Sequence, residues 1–442
     1  MSPSSGTVFK RDEVIVLLGA GASVPAHIPA SQGMIKEIEK LLESSWSDYK
    51  SLYFFVKSAI QFSDGIHGRF DTDTFNVEKL VETLDDLRRG DEHPLYPFVG
   101  AWVPKLYEVA GSDLQKVTAF REEIVRRLRD DWIQLEYKEH ARYYAHIKRF
   151  QRQLQEPLRL FTLNYDLCVE TALSDESEGT SITFERGFDE HKRWDWRRFE
   201  YERGDGPPDI YLYKLHGSID WTRDENDNLT YRDAVSQINP EDLAIIFGTP
   251  AKLQAVDPFL FFAYELRKWT LEEARLIVTV GYGFADDHIN GILRQSLKGN
   301  PARKLLAVTF IKGDENAEDM ARKRQCEIAR KIGIFREDEE DRQQANGQII
   351  VWGCGAEEFL EKRLTVEDLG KLFPAEETLF DEVSLTSDSA EVPGHVFSPV
   401  DGAEMDTSGN GAADVANDST IAALPIHQRQ AKPRRSGRKK NG

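Results

Sequence analysis

Apolar residues along this chain follow two periods. Short unbroken runs, rich in β-branched side chains and closed by glycine or polar turns, read as buried strands. They fall at 13–18 (Glu-Val-Ile-Val-Leu-Leu), 158–164, 209–217, 243–249, 275–283, 304–310 and 348–353. Other stretches carry the helical period. In 76–87, Val77, Leu80, Val81, Leu84 and Leu87 share one face. Segments 113–137, 141–154, 255–274, 286–297 and 315–331 read the same way. Strands alternating with helices predict an α/β fold, a Rossmann-like, doubly wound, mostly parallel sheet. The first strand is followed by helices rather than by a second strand, so a large helical insertion is expected at about 31–157.

In open α/β sheets, ligands bind beyond the carboxyl ends of the strands. That rule gathers five turns onto one rim: G-A-G-A-S (19–23), T-L-N-Y-D (162–166), K-L-H-G (214–217), F-G-T (247–249) and G-Y-G (281–283). Glycines permit close approach to the backbone. Residues Gly19, Gly21 and Ser23 therefore read either as a diphosphate cradle at the start of a helix or as a tight strand-to-helix turn. A dehydrogenase fingerprint wants a third glycine, where Val24 stands, and then a second strand ending in an acid. The Walker pattern fails as well, since no Gly-Lys-Ser/Thr follows. The loop points to a nucleotide, but not to ordinary hydride transfer or NTP hydrolysis.

The other turns bring chemistry to the rim. A histidine at a strand end, His216, reads as a base within reach of a ligand or as a satisfied structural residue. Asn164 reads as a ligand contact or a helix cap, Asp166 as an acceptor for loop amides, and Thr249 as a turn former. Asp286 reads as the cap of the helix that follows.

Composition narrows the class. Of 442 residues, 40% are hydrophobic and 30% charged, and no run of 18 apolar residues exists, so no membrane span is expected. The first residues lack the apolar core of a secretory signal. Cys168, Cys326 and Cys354 lie far apart, which excludes a zinc ribbon or a disulfide framework and suits a reducing cytoplasm. Net charge is −19, which disfavours broad nucleic-acid binding. Residues 376–442 read as a disordered tail, acidic and then basic. Nine acidic residues fall between Asp381 and Asp418, and seven basic ones between Arg429 and Lys440. Direct nucleic-acid contact is confined to that 429–440 tip, which otherwise reads as solvated tail.

The five turns, in this order and at these spacings, resemble the sirtuin fold. More closely, with the "NVEKL" helix start at 76–80, they are similar to the bacterial sirtuin-like NADases of anti-phage defence. The resemblance covers 13–365. It implies that Gly19, Ala20, Gly21, Ala22 and Ser23 hold the NAD diphosphate, and that Asn164 sits beside the nicotinamide ribose and positions water. It implies that Asp166 shapes the nicotinamide pocket and that His216 is a general base. Gly248, Thr249, Gly281 and Tyr282 line the adenosine side. Deacylating sirtuins carry a zinc ribbon of paired C-x-x-C motifs, which three isolated cysteines cannot supply.

The expected activity is therefore NAD hydrolysis to nicotinamide and ADP-ribose, with NAD as substrate and no metal. A free NAD hydrolase would kill its own cell. The resemblance implies gating by self-assembly into a homo-oligomer or by an activating partner, a P-loop ATPase or a nucleic-acid-guided protein. The alternatives are a non-catalytic NAD or ADP-ribose sensor or scaffold, and a protein deacylase or ADP-ribosyltransferase.

Overall fold

A computed structural model describes residues 9–68, 75–89, 103–176, 181–200, 206–247, 257–311, 317–334 and 347–373. All belong to one unit, 1–375. The tail expected at 376–442, with its 429–440 tip, lies outside the described residues, as do Gly248 and Thr249.

The chain opens with β1 (Val14–Leu18), buried throughout. The insertion follows as α1 (Ser31–Leu42), α2 (Lys50–Ile66), α3 (Val77–Arg88), α4 (Val103–Ala110), α5 (Gln115–Arg127) and α6 (His146–Leu154). The chain then runs through β2 (Leu158–Thr162), α7 (Cys168–Ser174), β3 (Phe184–Glu185), β4 (Ile210–Lys214), β5 (Gly217–Arg223), β6 (Leu229–Tyr231) and β7 (Leu243–Ile245). It continues with α8 (Phe259–Glu272), β8 (Leu276–Val280), α9 (Asp287–Gly299), β9 (Lys304–Thr309), α10 (Ala317–Ile332) and β10 (Ile349–Gly353), followed by short helical turns at Ala356–Glu358, Phe359–Arg363 and Val366–Gly370.

Among the described residues the main sheet has the order β10-β9-β8-β1-β2-β4-β3, every pair parallel. The chain builds outward from β1 through β2 to β4, then returns and builds the other way through β8, β9 and β10. The order reverses between β1 and β8, the switch point at which doubly wound sheets bind ligands. Strand alternation explains why both faces are apolar. Val14, Val16 and Leu18 pack under insertion residues such as Ile38, Leu80 and Phe120. Ile15 and Leu17 pack on the other side with Phe262 and Leu266 of α8 and Leu293 of α9.

Two expectations need correction. The 243–249 strand is not part of the main sheet. Its ordered part, β7, belongs to a three-stranded antiparallel sheet of order β6-β5-β7. Gly217, at φ +90, turns the chain from β4 straight into β5 with no crossover helix. A parallel strand cannot follow without one. A Cβ at Gly217 would lie 2.1 Å from the Ala244 carbonyl oxygen, so only glycine fits this turn. The helix expected over 113–137 also ends early. It passes into a π-turn at Leu128–Trp132, and residues 138–145 form a 3-10 stretch instead.

Candidate functional site

Four strand-end turns meet on one rim of the main sheet. Each continues the ladder by one bond past its strand. Gly19 N–H donates to Val280 O and Leu163 N–H to Leu18 O, both at 2.9 Å. Leu215 N–H donates to Thr162 O at 2.9 Å and Gly281 N–H to Val308 O at 3.0 Å. The turns therefore leave the sheet at one level.

The glycine loop answers one part of the sequence reading. What approaches Gly19 and Gly21 is the chain itself. A Cβ at Gly19 would lie 2.6 Å from Tyr282 Cα, and one at Gly21 would lie 2.8 Å from the Gly281 oxygen. Gly281, at φ +63, is as crowded from its own side, 2.2 Å from Ala22 N. Three glycines thus let two turns touch backbone to backbone at the switch point. The α-helix expected directly after the loop is absent. Two 3-10 turns, Ala20–Ala22 and Val24–Ala26, come first, and α1 starts only at Ser31. The amides of Gly19, Gly21, Ala22 and Ser23 all bond within the chain, to Val280, Gly281, Gly19 and Ala20 oxygens. The accessible surface of the loop is exposed Ala20 and half-buried Gly21.

Ser23 is buried and joins two elements. Asn164 Nδ2 donates to Ser23 Oγ at 3.0 Å, and Ser23 Oγ shares a hydrogen with Tyr144 Oη, also at 3.0 Å. Tyr143 Oη donates to the Ala22 carbonyl at 2.6 Å. Burial pushes the Tyr144 phenol far above its ordinary range, so it stays protonated. The insertion thereby holds the glycine loop from the side opposite the sheet.

Asn164 and His216 occupy equivalent places. Thr162 pairs with Lys214 at the ends of β2 and β4, and each of the two residues stands two positions further on. His216 Nε2 lies 3.1 Å from Asp286 Oδ2. A carboxylate only accepts, so Nε2 donates here, and in a neutral ring Nδ1 is then the lone-pair nitrogen. The sequence placed Asp286 correctly as a helix cap: its Oδ1 accepts from the amides of His288 and Ile289 at the start of α9. Its second oxygen, turned to His216, was not legible. This contact reaches from beyond β8 to beyond β4, across the ends of β1 and β2.

The remaining residues support these two. Asp166 Oδ1 accepts from the amide of Cys168, the first residue of α7, at 3.0 Å and so ties the turn to that helix. Its carbonyl accepts from Lys214 Nζ, which also pairs with Glu170 at 2.9 Å. Tyr165 donates to the Ile246 carbonyl at 2.9 Å, while the Ile246 amide donates to His216 O. The segment leading to F-G-T therefore does reach the site, through β7. Tyr282 is buried with its hydroxyl on Asn290 Oδ1 at 3.0 Å, so its side chain braces the turn from beneath. Burial pushes both the Tyr165 and Tyr282 phenols well up, and the charge of Glu78 adds to it at Tyr165.

Two buried polar atoms in this group have no hydrogen-bond partner among the described residues: Asn164 Oδ1 and His216 Nδ1. Buried polar atoms are nearly always paired, and an exception needs an explanation. Here both are acceptors, on the two residues that the rim pattern singles out.

Sequence reasoning missed Asp286 as the histidine's partner, and Tyr143 and Tyr144 as the loop's support. The aromatic pair in "ARYYAH" carried no signal beyond a helical face.

Residues 158–334 match the family model described as the SIR2-like domain. The matched stretch takes in Asn164, His216 and Asp286, and the glycine loop precedes it. Among solved structures, the chain is similar to an ADP-ribose complex of a mutant Sir2 homologue. Identity is 11% and the TM-score 0.33, over 72% of this chain and 91% of that chain. No curated protein matches the chain. The SIR2-like match runs from β2 to α10 and so takes in most of the parallel sheet, with β1 and β10 outside it.

Proposed function

We propose that the protein is an NAD hydrolase, cleaving the nicotinamide–ribose bond to give nicotinamide and ADP-ribose. The observation that carries the reading is the pair of buried, unpartnered acceptors, Asn164 Oδ1 and His216 Nδ1, at matching positions beyond two neighbouring strands. The SIR2-like match over the same residues supports the choice of ligand.

The chemistry suits such a site. The nicotinamide of NAD is already cationic, so the C–N electron pair leaves with it and no acid is needed. A water oxygen bonds to the anomeric carbon, and its proton passes to His216 Nδ1. The Asp286 carboxylate orients the ring and stabilises the imidazolium that forms. Asn164, anchored through Nδ2 to Ser23, presents Oδ1 to the water or to a ribose hydroxyl. A positioned base of this kind contributes about 10²–10⁴-fold. Residues 19–23 line the diphosphate through the face of Ala20 and Gly21. Asp166 shapes the nicotinamide pocket through the loop that it fixes. Gly281 and Tyr282, with Gly248 and Thr249, form the adenosine side.

Such an activity has to be gated in a living cell. We assign the protein to the NAD-depleting effectors of anti-phage defence, switched on by self-assembly or by a protein partner. The insertion offers the surface for it: Phe62 and Ile66 of α2 stand 62% and 67% exposed.

The test is product analysis with the full chain and NAD, at several protein concentrations and with host lysate added, beside His216→Ala. The expected result is nicotinamide and ADP-ribose from the wild type alone. Tight NAD binding without nicotinamide release in every condition would replace the hydrolase with a sensor. Release only with an acyl peptide or a protein acceptor would replace it with a transferase or deacylase.

A further inference from the structure

A second cluster of ligating side chains lies outside the proposed site. His27, Glu136 and His140 each present one donor atom, and the three atoms lie within 4.8 Å of one another. The two imidazole rings lie in contact, tilted by 51° at a centroid distance of 4.1 Å. His140 Nδ1 is buried and has no hydrogen-bond partner. Among the described residues, no hydrogen bond or ion pair ties the side chain of any of the three to another group. These side chains converge without bonding to one another.

The backbone holds His27 where convergence is possible. It sits in the left-handed region, φ 68, where it closes the second 3-10 turn of the glycine-loop segment. Such a conformation is uncommon for any residue but glycine. His140 lies in the 3-10 stretch Lys138–Ala145, one turn before Tyr143 and Tyr144. Glu136 precedes it on an exposed bend.

We propose that His27, Glu136 and His140 bind a divalent zinc-type ion. Two imidazoles and one carboxylate form a donor set that favours zinc and its neighbours over magnesium or calcium. Ligands 2.0–2.1 Å from a tetrahedral zinc stand about 3.4 Å apart, so donors already within 4.8 Å of one another need close in by no more than about 1.4 Å. A fourth position stays open to water. The ion joins two segments distant in sequence, one leading out of the glycine loop and one from the insertion. The second already grips the loop through Tyr143 to Ala22 and Tyr144 to Ser23. Zinc at this place would lock the insertion onto the rim. The site is independent of the proposed reaction and requires no zinc at the nicotinamide end.

The test uses the metal-free full chain and needs no activity assay. Co²⁺ is titrated and followed by its visible d–d absorption, then displaced with Zn²⁺. The expected result is one equivalent of four-coordinate Co²⁺ in the wild type and in the His191→Ala control. Affinity should fall about a hundredfold or more in His27→Asn and in Glu136→Gln, since losing a direct ligand costs at least as much as losing a supporting one. Asn tolerates the left-handed backbone and Glu136 is exposed, so both variants keep the fold. Zn²⁺ should raise the melting temperature of the wild type and leave that of His27→Asn unmoved. Cobalt binding equal in wild type and variants, or an octahedral spectrum in the wild type, would overturn the assignment.

Discussion

Strand β2 carries two buried polar residues at its opposite ends, and their surroundings differ. Arg159, near the amino end, is fully buried. Its Nε donates to Asp12 at 2.8 Å, its Nη1 donates to Tyr213 Oη, and its guanidinium stacks 3.3 Å from the Trp269 ring centroid. Glu265, which accepts from Trp269 Nε1 at 2.6 Å, completes the cluster. Asn164, just past the carboxyl end, leaves Oδ1 without a partner, as does His216 with Nδ1. Both ends of β2 are buried, but the Arg159 guanidinium is bonded and stacked, whereas Asn164 and His216 each keep an acceptor that a ligand could use, and the proposed function rests on that difference.

The sharpest way to break this comparison is a pair of substitutions. Arg159→Met should strand Asp12 and Glu265 in the core and cost about 3–5 kcal/mol of stability, with turnover per folded molecule unchanged. His216→Ala should do the reverse, lowering kcat by about 10²–10⁴-fold with a smaller stability loss of about 1–3 kcal/mol. Denaturant titrations and kinetics on the same preparations decide it. If Arg159→Met lost turnover as deeply as His216→Ala, the two ends of β2 would not be functionally distinct.

A smaller effect is expected where the rim is built from backbone alone. Gly281→Ala forces a positive φ on alanine and drives its Cβ into Ala22 and Gly21. A cost of about 1–3 kcal/mol should appear as a lower melting temperature. The shifted loop should also raise KM for NAD more than it lowers kcat. An unchanged melting temperature would mean that the two turns are not locked together.

The smallest effect concerns acid. Burial alone would raise the Asp220 carboxyl, but Arg186 and Lys214, with hydrogen bonds from Ser218 and Arg186, overcome it and hold the group below its ordinary value. A carboxyl lowered in the folded state adds stability above its unfolded pKa and loses it as pH falls through the folded value. The stability gap between wild type and Asp220→Asn should therefore be constant near neutrality and shrink below about pH 4. A gap that stays at its neutral-pH size down to pH 3 would show that the carboxyl is not held down by its partners.

Much of this was readable in advance. The runs at 13–18, 158–164, 209–217, 275–283, 304–310 and 348–353 each hold a strand of one parallel sheet, because a short apolar run encodes a strand buried on both faces. Asn76 and Asp286 were legible as helix starts, since caps act over three residues: Asn76 Oδ1 accepts from the Lys79 amide at 2.8 Å. No helical continuation to 137 followed α5, because the helical period in the sequence does not distinguish an α-helix from a π-turn and a 3-10 stretch. The F-G-T strand was assigned to the wrong sheet, since nothing in its own residues reveals that Gly217 had turned the chain into a hairpin.

The sequence by itself determined the class of fold, the parallel run of its main strands, and four of the turns that stand at their carboxyl ends. It also singled out Asn164 and His216. Periodicity and turn chemistry act over a few residues, so they survive in a linear reading. Only the tertiary structure decided that the glycines serve a backbone contact with Gly281, that Asp286 holds His216 from 70 residues away, and that His27 meets His140. Those outcomes depend on which partner arrives at each polar atom, and partners arrive through packing between segments that the sequence keeps far apart.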